Sequence, residues 1–451
     1  MEHEVNLTEH NYYDQLLGLT ISNALKIPFY RERWPLNVAQ DIHSIGDLKH
    51  LPLLTKEEFQ ANVESRFPQS GKVALIHHSS GTTSSELLYR YRSQEEINFL
   101  STFYGRELEM AGKDHISNSD RPIILVQQSD YHGNGIPLPT DSLVIRVAFD
   151  KQGLSHALDV IQRQFAIVGY SPMVEAIVGA SEFVMMLTLA LMKASLNPRE
   201  LGIRSIHIIS GFSSSKQRHF LHSAWNCPIV DTYSLSEVFG SAPSCSVCGR
   251  YNFRPTVLAE YLDPFSKTPV DEGIATLALT ELYPFISYHP LIRYWTDDLV
   301  SVESSRCVAC KSSKTFLPKG RLKHSLVDSE TQPEKLLVAE FEYIDALAET
   351  PEIVYTASLG YRWLSDELDA VLMGNPRASL NLIRRSSTIK KIVLKFECVY
   401  SPVVYQEDAR RVEGRLEERL LSKSPSLRGA IASGRYEFVV EACSRLRDFG
   451  T

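Results

Sequence analysis

The stretch HHSSGTTSSELLYRY, residues 77–91, follows an apolar run that ends at Ile76 and places seven serine, threonine and glycine residues in succession. Two interpretations fit it: an ordinary polar turn, or a loop that wraps phosphate. Glycine lets the backbone approach an oxyanion, and successive N–H groups with hydroxyl donors form an anion nest. Ser/Thr/Gly-rich turns are common, and the P-loop pattern GxxxxGK[ST] is absent. Taken alone, the stretch does not decide between the two.

The chain around this loop alternates short apolar runs with helical stretches. We expect strands at 122–128, 142–149, 165–170 and 205–210, and helices at 155–164, 173–195 and 215–225. Such alternation predicts an α/β core with a largely parallel sheet. Residues 10–65 predict helices with irregular links, one of them capped at Thr55.

The pattern of predicted helices and strands changes twice after residue 250. Residues 250–305 predict strands and turns. The tail predicts helices at 335–347 and 406–422 and strands at 352–359, 390–400 and 435–441. We therefore expect a large N-terminal domain, residues 1–320, with mixed and parallel sheets, and a small α+β C-terminal domain, residues 321–451.

Composition and net charge indicate which classes of binding partner the protein is expected to have. The 451 residues are 43% hydrophobic and 22% charged, with a net charge of −7. An acidic chain argues against nucleic-acid binding, which needs a basic face. The apolar stretch 183–192 is too short to cross a bilayer, and MEHEVNLTEH is too charged for a signal peptide. We expect a cytoplasmic protein without membrane contact.

Three further segments follow the SSGTT loop along the chain and help to interpret it. They are DTYSLSE at 231–237, PLIRYWTDDLV at 290–300 and GRLKHSL at 320–326. Together they resemble the core motifs of adenylate-forming enzymes, the acyl-CoA synthetase and luciferase superfamily. The segments SIGDLKHLPLLTKEEF, AEYLDP, VDEG and LTEL are similar to the branch of phenylacetate–CoA ligases and coenzyme F390 synthetases. The resemblance covers nearly the whole chain.

The resemblance implies a role for each matching residue. The loop Ser79, Ser80, Gly81, Thr82 and Thr83 would wrap the phosphates of ATP. Gly211 would flank the adenine, Tyr233 would stack on it, and Glu237 would help to hold Mg²⁺. Asp298 would accept the ribose hydroxyls, Arg321 would approach the ribose and phosphates, and Lys323 would lie at the hinge of the small domain.

Each residue also has a plainer interpretation when it is read alone. Tyr233 could be a core aromatic, and Glu237 and Asp298 could be solvated loop carboxylates. Arg321 could be a surface arginine at a domain boundary. The Asp297–Asp298 doublet leaves open which carboxylate points inward, although the register of the family favours Asp298.

The activity that the resemblance implies is attack of a carboxylate on the α-phosphate of ATP, giving an acyl-adenylate and pyrophosphate. Coenzyme A would then take the acyl group, which would make the protein an acid–CoA ligase. Transfer to an amine, a hydroxyl or a carrier protein is the alternative. A nucleotide- or acyl-adenylate-binding protein without turnover is a second alternative, and a homodimer is left open.

Three departures from the family pattern put the rate of adenylation in doubt. The loop continues Ser84-Ser85-Glu86, where the family has a second glycine, and Glu86 adds a negative charge. The Gly-Glu-Pro motif of the family is Gly211-Phe212-Ser213 here. No lysine follows Lys423, although the family carries a lysine there that contacts the α-phosphate. Arg445 and Arg447 are the candidate substitutes, with a different charge geometry.

Four cysteines form two CxxC pairs, Cys245/Cys248 and Cys307/Cys310. Two CxxC pairs can supply the four ligands of a tetrahedral zinc ion, so segment 245–310 predicts a closed structural zinc site. Free thiols and redox or iron–sulfur chemistry are the alternatives. The acid substrate is not named by the sequence, but YHGNG and GYSPMVEA suggest that Tyr131, His132 and Tyr170 line its pocket, unless they are core residues.

Overall fold

The computed structural model describes most of the chain: residues 9–61, 72–78, 88–102, 121–127, 142–210, 213–304, 307–310, 312–328, 336–348, 350–356, 375–383 and 389–446. Two compact units are present. Unit 1 comprises Met1–Gly211, Trp225–Thr296 and Ser301–Leu317, and unit 2 comprises Phe212–Ala224, Asp297–Val300 and Pro318–Thr451. The predicted division into a nucleotide-binding domain and a mobile small domain stays a prediction.

Unit 1 begins with short helices and a hairpin. The elements are α1 (Glu9–Ala24), α2 (Pro28–Arg33), α3 (Leu36–Gln40), α4 (Lys56–Ala61), β1 (Leu75–His78) and β2 (Tyr89–Arg92). The amide of Glu58 donates to Thr55 Oγ1 at 3.2 Å, so the predicted N-cap is confirmed. Strands β1 and β2 pair antiparallel from Leu75↔Arg92 to His78↔Tyr89, and so they flank the Ser/Thr/Gly loop.

A six-stranded sheet forms the centre of unit 1. Its strands are β3 (Arg121–Gln127), β4 (Leu143–Val147), β5 (Tyr170–Ala180), β6 (Ser205–Ser210), β7 (Ile229–Ser234) and β8 (Ser241–Pro243). The order is β4-β3-β5-β6-β7-β8. All neighbours are parallel except β7 and β8. The predicted α/β core with a largely parallel sheet is thus confirmed.

Helices connect these strands, and here one prediction is wrong. They are α5 (Lys151–Val160), α6 (Ser181–Lys193) and α7 (Ser215–Trp225). The stretch 173–195 was expected to be one helix, but β5 occupies its first part and α6 starts only at Ser181. Residues 165–169, expected as a strand, lie outside any strand. An apolar run that is buried throughout suits either structure, so periodicity could not separate them.

A second sheet has four strands: β9 (Val257–Leu262), β10 (Gly273–Glu281), β11 (Tyr294–Ser304) and β12 (Lys314–Arg321). Their order in the sheet is β12-β11-β10-β9. Strand β10 pairs antiparallel with β9, from Thr276↔Leu262 to Glu281↔Val257. These strands agree with the prediction for residues 250–305, and β10 is buried from Ala275 to its end at Glu281.

A buried ion cluster lies at the end of β10. Arg90, Arg92 and Glu281 have side chains that are 0% exposed. Arg90 Nη2 donates to Glu281 at 2.7 Å, and Arg92 Nη2 donates at 3.1 Å. The amides of Phe239 and Leu291 each donate to the same carboxylate at 2.7 Å. The cluster therefore anchors the β1–β2 hairpin and the turn after β7 to the second sheet.

Unit 2 contains an α+β arrangement. Its further elements are β13 (Leu326–Asp328), β14 (Leu336–Val338), α8 (Glu340–Leu347), β15 (Tyr355–Thr356), β16 (Asn375–Pro376), β17 (Ala378–Ile383), β18 (Lys390–Glu397), α9 (Gln406–Lys423), α10 (Pro425–Ala432) and β19 (Tyr436–Cys443). The sheet β17-β18-β19 carries Leu394, Phe396 and Phe438, which cluster with Leu416 and Leu420 of α9. The predicted α+β character is confirmed, while β13, β14, β16, β17 and α10 were missed. The predicted helix 335–347 is wrong at its start, because β14 lies there and α8 begins only at Glu340.

Candidate active site

The carboxyl edge of the parallel sheet is where a ligand is expected to bind in an α/β fold. Strands β3, β5, β6 and β7 run parallel, so their last residues meet at this edge. Tyr233 is the penultimate residue of β7, and Glu237 follows three residues after the strand ends. The loop Ser79–Thr83, together with Tyr131, His132 and Gly211, lies outside the described residues.

Tyr233 lies at the end of an aromatic cluster. Its ring meets Phe253 and Phe316 edge to face, with centroids 5.8 Å and 5.5 Å away. Phe253 and Phe316 stack on each other at 5.3 Å. The hydroxyl of Ser234 donates to the carbonyl of Ile209 at 2.7 Å, which fixes the end of β7 to β6. Tyr233 is therefore held in place by its neighbours while part of it remains exposed.

Glu237 is a partly exposed carboxylate in the turn after β7. Within the described residues, its hydrogen-bond partner is the hydroxyl of Ser236, at 3.2 Å. The amide of Phe239, two residues further on, donates to the buried Glu281 and so anchors this turn. A carboxylate that has no cation partner among the described residues suits a hard metal ion such as Mg²⁺.

Unit 2 brings Asp298 and Arg321 together. Asp298 is 7% exposed, and its Oδ1 lies 3.4 Å from Arg321 Nε. Asp297 is exposed and has a φ of +60°. The doublet therefore turns Asp298 inward, as the family register favours. Whether Asp298 binds a ribose stays a prediction.

The turn that carries Arg321 depends on a glycine. Gly320 has a φ of +96°, and a Cβ on it would lie 2.5 Å from the Cβ of Glu340. Glu340 accepts the amide of Arg321 at 2.9 Å and contacts His324 at 3.1 Å. Lys323 is exposed in the short 3₁₀ turn Leu322–His324. The structure does not test the predicted hinge role of Lys323.

Tyr170 lies away from the carboxyl edge. It is the first residue of β5 and pairs with Arg121, the first residue of β3. Arg121 Nη1 lies 3.5 Å from the Tyr170 hydroxyl. At about 3.3 Å per residue, β5 separates Tyr170 from the carboxyl edge by roughly 30 Å. The structure does not bring Tyr170 together with Tyr233, so Tyr170 is not part of the site proposed below.

The four cysteines of the CxxC pairs meet in unit 1. Their Sγ atoms all lie within 4.8 Å of one another. The separations are 3.9 Å for Cys245–Cys307 and 3.3 Å for Cys248–Cys310. Tetrahedral zinc with bonds of about 2.3 Å would place the sulfurs about 3.8 Å apart, so the residues present fit the ion.

The pKa shifts of the thiols agree with a zinc site. Burial by itself would raise the pKa of the Cys245 thiol, but the amides of Cys248 and Val247 and the neighbouring thiols lower it to about 7. Burial and the three neighbouring thiols raise the pKa of Cys310. The cluster is thus a set of thiols that compete for protons, and a divalent cation would relieve that competition.

Sequence reasoning missed Glu281 as a residue that supports the site. It appears in the LTEL segment, which was used only for its resemblance. The available signal was a charged residue at the end of an otherwise apolar strand, β10. Burial by itself would raise the pKa of this carboxyl, but Arg90, Arg92 and two backbone amides hold it below the usual range.

Comparisons with known proteins identify the fold. No family model matches the chain. A phenylacetate–coenzyme A ligase of Thermus thermophilus is 23% identical over 298 residues, which are 62% of this chain and 63% of that protein. The match therefore spans less than two thirds of the relative's length.

Solved structures extend the likeness over almost the whole chain. An open conformation of 2-hydroxyisobutyryl-CoA ligase in complex with 2-HIB-AMP and CoA has a TM-score of 0.68 and 14% identity, and the match covers 98% of this chain and 89% of that one. ATP-bound MatB of Rhodopseudomonas palustris has a TM-score of 0.51 and 14% identity, and the match covers 83% and 65%.

These likenesses define the class of fold. The chain has the fold of the acyl-CoA ligases of the adenylate-forming superfamily, and the predicted resemblance is confirmed at that level. More particularly, its sequence is similar to that of a phenylacetate–CoA ligase. In the described part of the chain, no helix has the length and apolar character needed to cross a membrane.

Proposed function

We propose that the protein is an ATP- and Mg²⁺-dependent ligase that activates a small carboxylic acid as an acyl-adenylate and transfers the acyl group to coenzyme A. The observation that carries this proposal is the position of Tyr233 and Glu237 at the carboxyl edge of the sheet in a chain with the acyl-CoA ligase fold. A location in the reducing cytoplasm is part of this proposal, because four of the seven cysteines form CxxC pairs that suit a metal site better than a disulfide framework.

In the first half-reaction, a carboxylate oxygen of the acid attacks the α-phosphorus of ATP, and the bond to the pyrophosphate oxygen breaks. The protein mainly positions the reactants and offsets charge. Tyr233 would stack on the adenine. Asp298 would accept hydrogen bonds from the ribose hydroxyls, because a carboxylate has only acceptors.

Three parts of the chain would interact with the negative charge of the phosphates. The Ser79–Thr83 loop would donate N–H and O–H groups, and Arg321 would approach the ribose and phosphates. Glu237 would hold Mg²⁺, which offsets phosphate charge when bound. Cys245, Cys248, Cys307 and Cys310 would hold Zn²⁺ as a structural ion, since four thiolates leave no open coordination position.

In the second half-reaction, the thiol of coenzyme A attacks the acyl carbon, and AMP leaves. The relative crystallised with CoA supports this acceptor. Transfer to an amine, a hydroxyl or a carrier-protein thiol is the alternative, and dependence on coenzyme A separates the two.

A second candidate is a protein that binds nucleotide or acyl-adenylate without turnover. The altered phosphate loop favours it, because Ser84-Ser85-Glu86 stands where the family pattern has a second glycine, and Glu86 adds a negative charge. Loss of one preorganised donor typically costs about 10²–10³ in rate, so slow adenylation is also consistent with the change.

Pyrophosphate release from ATP and Mg²⁺ tests the proposal, with a panel of aryl and short-chain acids and with or without coenzyme A. We expect acid-dependent release, and Glu237→Gln should lower it by about 10²–10³. Glu417→Gln is the matched control, because Glu417 is exposed on α9. Thermal stabilisation by ATP without pyrophosphate from any acid would instead establish the binding protein.

A further inference from the structure

A cavity of about 220 Å³ lies in unit 2, beside the N-terminal half of α9. Its wall is formed by the turn before β15, the loop after β18 and one side of α9. The lining residues are Glu352, Tyr400, Asp408, Arg411, Val412 and Arg415. A buried water needs roughly 10–15 Å³ of such space, so the cavity can hold a small organic molecule. None of these six residues is a candidate for nucleotide binding, and the cavity is therefore a separate feature of the molecule.

Contacts within unit 2 hold the wall of this cavity in place. The amide of Val399 donates to the carbonyl of Glu352 at 3.0 Å, so the loop after β18 is joined to the turn before β15. The ring of Tyr400 meets that of Tyr405 edge to face, with centroids 5.7 Å apart. The lining residues from α9 are three or four positions apart, and so they share one side of the helix.

The hydroxyl of Tyr400 is the group in this wall that the fold does not satisfy. It is buried, and within the described part of the chain no hydrogen bond of good geometry reaches it. Its neighbour is the thiol of Cys398, which is a weak partner. Burial and this thiol raise the pKa of Tyr400, and the charges of Asp408 and Glu352 raise it further, so the hydroxyl stays protonated beside both carboxylates. A buried polar group of this kind costs free energy unless water or a ligand pairs with it.

The wall carries two positive and two negative groups. Arg411 pairs with Asp408, and Arg415 Nη2 lies 2.8 Å from Glu352 Oε2. Burial by itself would raise the pKa of Glu352, but Arg415 lowers it, so this carboxylate is ionised. Each guanidinium has five N–H donors and can therefore bind a further acceptor. Arg411 is 76% exposed, so the cavity is open to solvent on that side. The wall has no net charge, which disfavours an anion such as phosphate.

Ordered water is the plain explanation, since it could pair with the Tyr400 hydroxyl. Two further features favour an organic ligand. The wall gathers charges of both signs around that hydroxyl. The loop that carries Tyr400 also exposes four apolar side chains, which are 54–74% accessible: Val399, Val403, Val404 and Tyr405. A small molecule that combines both signs of charge with an apolar part matches these features.

We propose that this cavity binds an α-amino acid with an apolar side chain. An ammonium group has three N–H donors, and Glu352, Asp408 and the Tyr400 hydroxyl supply three acceptors for them. The carboxylate of the amino acid accepts from Arg411 and Arg415, because guanidinium groups match the geometry of a carboxylate. The apolar side chain contacts the exposed loop beside the cavity. This site does not depend on the proposed ligase activity.

Calorimetry on the full chain tests the proposal with leucine and phenylalanine, and with 3-methylbutylamine and 2-phenylethylamine, the amines that lack the carboxylate of each. At least one of the two amino acids should bind, and its amine should bind at least about 10-fold more weakly. Arg411→Met should weaken the amino acid by about 10-fold, because a charge-assisted hydrogen bond is lost. Tyr400→Phe should weaken it by about 3- to 10-fold. Arg410→Met, at an exposed arginine of α9 outside the cavity, is the matched control and should leave the affinity unchanged.

The variants also separate this cavity from any other place where an amino acid could bind. Weaker binding in Arg411→Met and Tyr400→Phe, with the thermal midpoint of each variant close to that of the wild type, supports the proposal. The proposal is overturned if neither amino acid binds, if an amine binds as tightly as its amino acid, or if both variants bind the amino acid as tightly as the wild type. The last result would mean that the amino acid occupies a different site.

Discussion

Glu281 and Glu182 are two glutamates of unit 1 that the fold treats in opposite ways. Glu281 accepts from two arginines and two backbone amides, which together lower its pKa. Glu182 has its own amide, and burial raises its pKa. The difference is one of position: Glu281 ends a fully buried strand and is ionised among counter-charges, whereas Glu182 is the second residue of α6 and keeps some exposure to solvent.

The four cysteines are a third set of titratable groups in unit 1. Their sulfur atoms are gathered within 4.8 Å, although thiols that close together compete for protons. The zinc ion that we propose for this cluster would relieve that competition and contribute to stability.

The largest effect is expected at this cluster. Cys248→Ser should abolish tight binding of one zinc ion per chain, because a closed four-thiolate site loses a ligand and apparent affinities of such sites correspond to about 10–16 kcal/mol in small zinc domains. Elemental analysis of the purified protein measures it, and the thermal midpoint should fall as well. Cys227→Ser, outside the cluster, is the control and should keep the metal. Zinc-free wild type would refute the site.

The next effect is expected at Glu281. Glu281→Gln should lower the free energy of unfolding by about 3–5 kcal/mol, because it leaves Arg90 and Arg92 buried without a counter-charge. Urea unfolding at pH 7.5 measures the change. Glu272→Gln, at an exposed position near the start of β10, should change it little.

The dependence on pH makes the Glu281 prediction specific. A carboxyl whose pKa is lowered in the folded state contributes stability above its unfolded pKa of about 4.3 and loses it as pH falls through the folded value. The difference between wild type and Glu281→Gln should therefore shrink in acid. A difference that stays constant from pH 7.5 to the acid limit of folding would mean that packing, not charge, holds the cluster.

Sequence reasoning recovered much of the fold for identifiable reasons. The apolar runs that form β3, β4 and β6 are short and bounded by turn residues, so their length indicates strands. Helix α9 has the apolar spacing of an amphipathic helix, with Val412, Leu416 and Leu420 buried on one side. Among the candidate site residues, Tyr233, Glu237, Asp298 and the four cysteines could be proposed because each belongs to a short motif, and their roles stay predictions.

The failure at β5 misplaced the start of α6. The run from Tyr170 to Lys193 is apolar almost throughout, so neither period 2 nor period 3.6 marks the change from strand to helix at Ser181. Within the predicted helix 173–195, Glu182 would lie in the interior of the helix. The end of β5 at Ala180 shows instead that Glu182 is the second residue of α6, next to the carboxyl edge of the sheet.

A smaller effect is expected in unit 2, where the same comparison can be tested on a different acid. Asp328 is 2% exposed and accepts from Lys390 and, at 2.8 Å, from the hydroxyl of Tyr436. Tyr436→Phe removes the hydroxyl and leaves Lys390 in place, so it should cost about 1–2 kcal/mol of unfolding free energy. Tyr405→Phe, at an exposed residue, is the control. Equal midpoints for the two variants would show that the Tyr436 hydroxyl does not stabilise this carboxylate.

The smallest effect on stability is expected at Glu182, and its sign is reversed. A carboxyl whose pKa is raised in the folded state lowers stability when it ionises, and the loss develops as pH rises above about 4.3 and through the folded value. Glu182→Gln should therefore raise the midpoint of thermal unfolding at pH 7.5, by about 0.5–2 kcal/mol in free energy, and should change it little near pH 4. A structural helix cap predicts the opposite, a loss at neutral pH. A gain in stability that grows from pH 4 to pH 7.5 would show that ionisation of Glu182 in its surroundings costs the fold free energy.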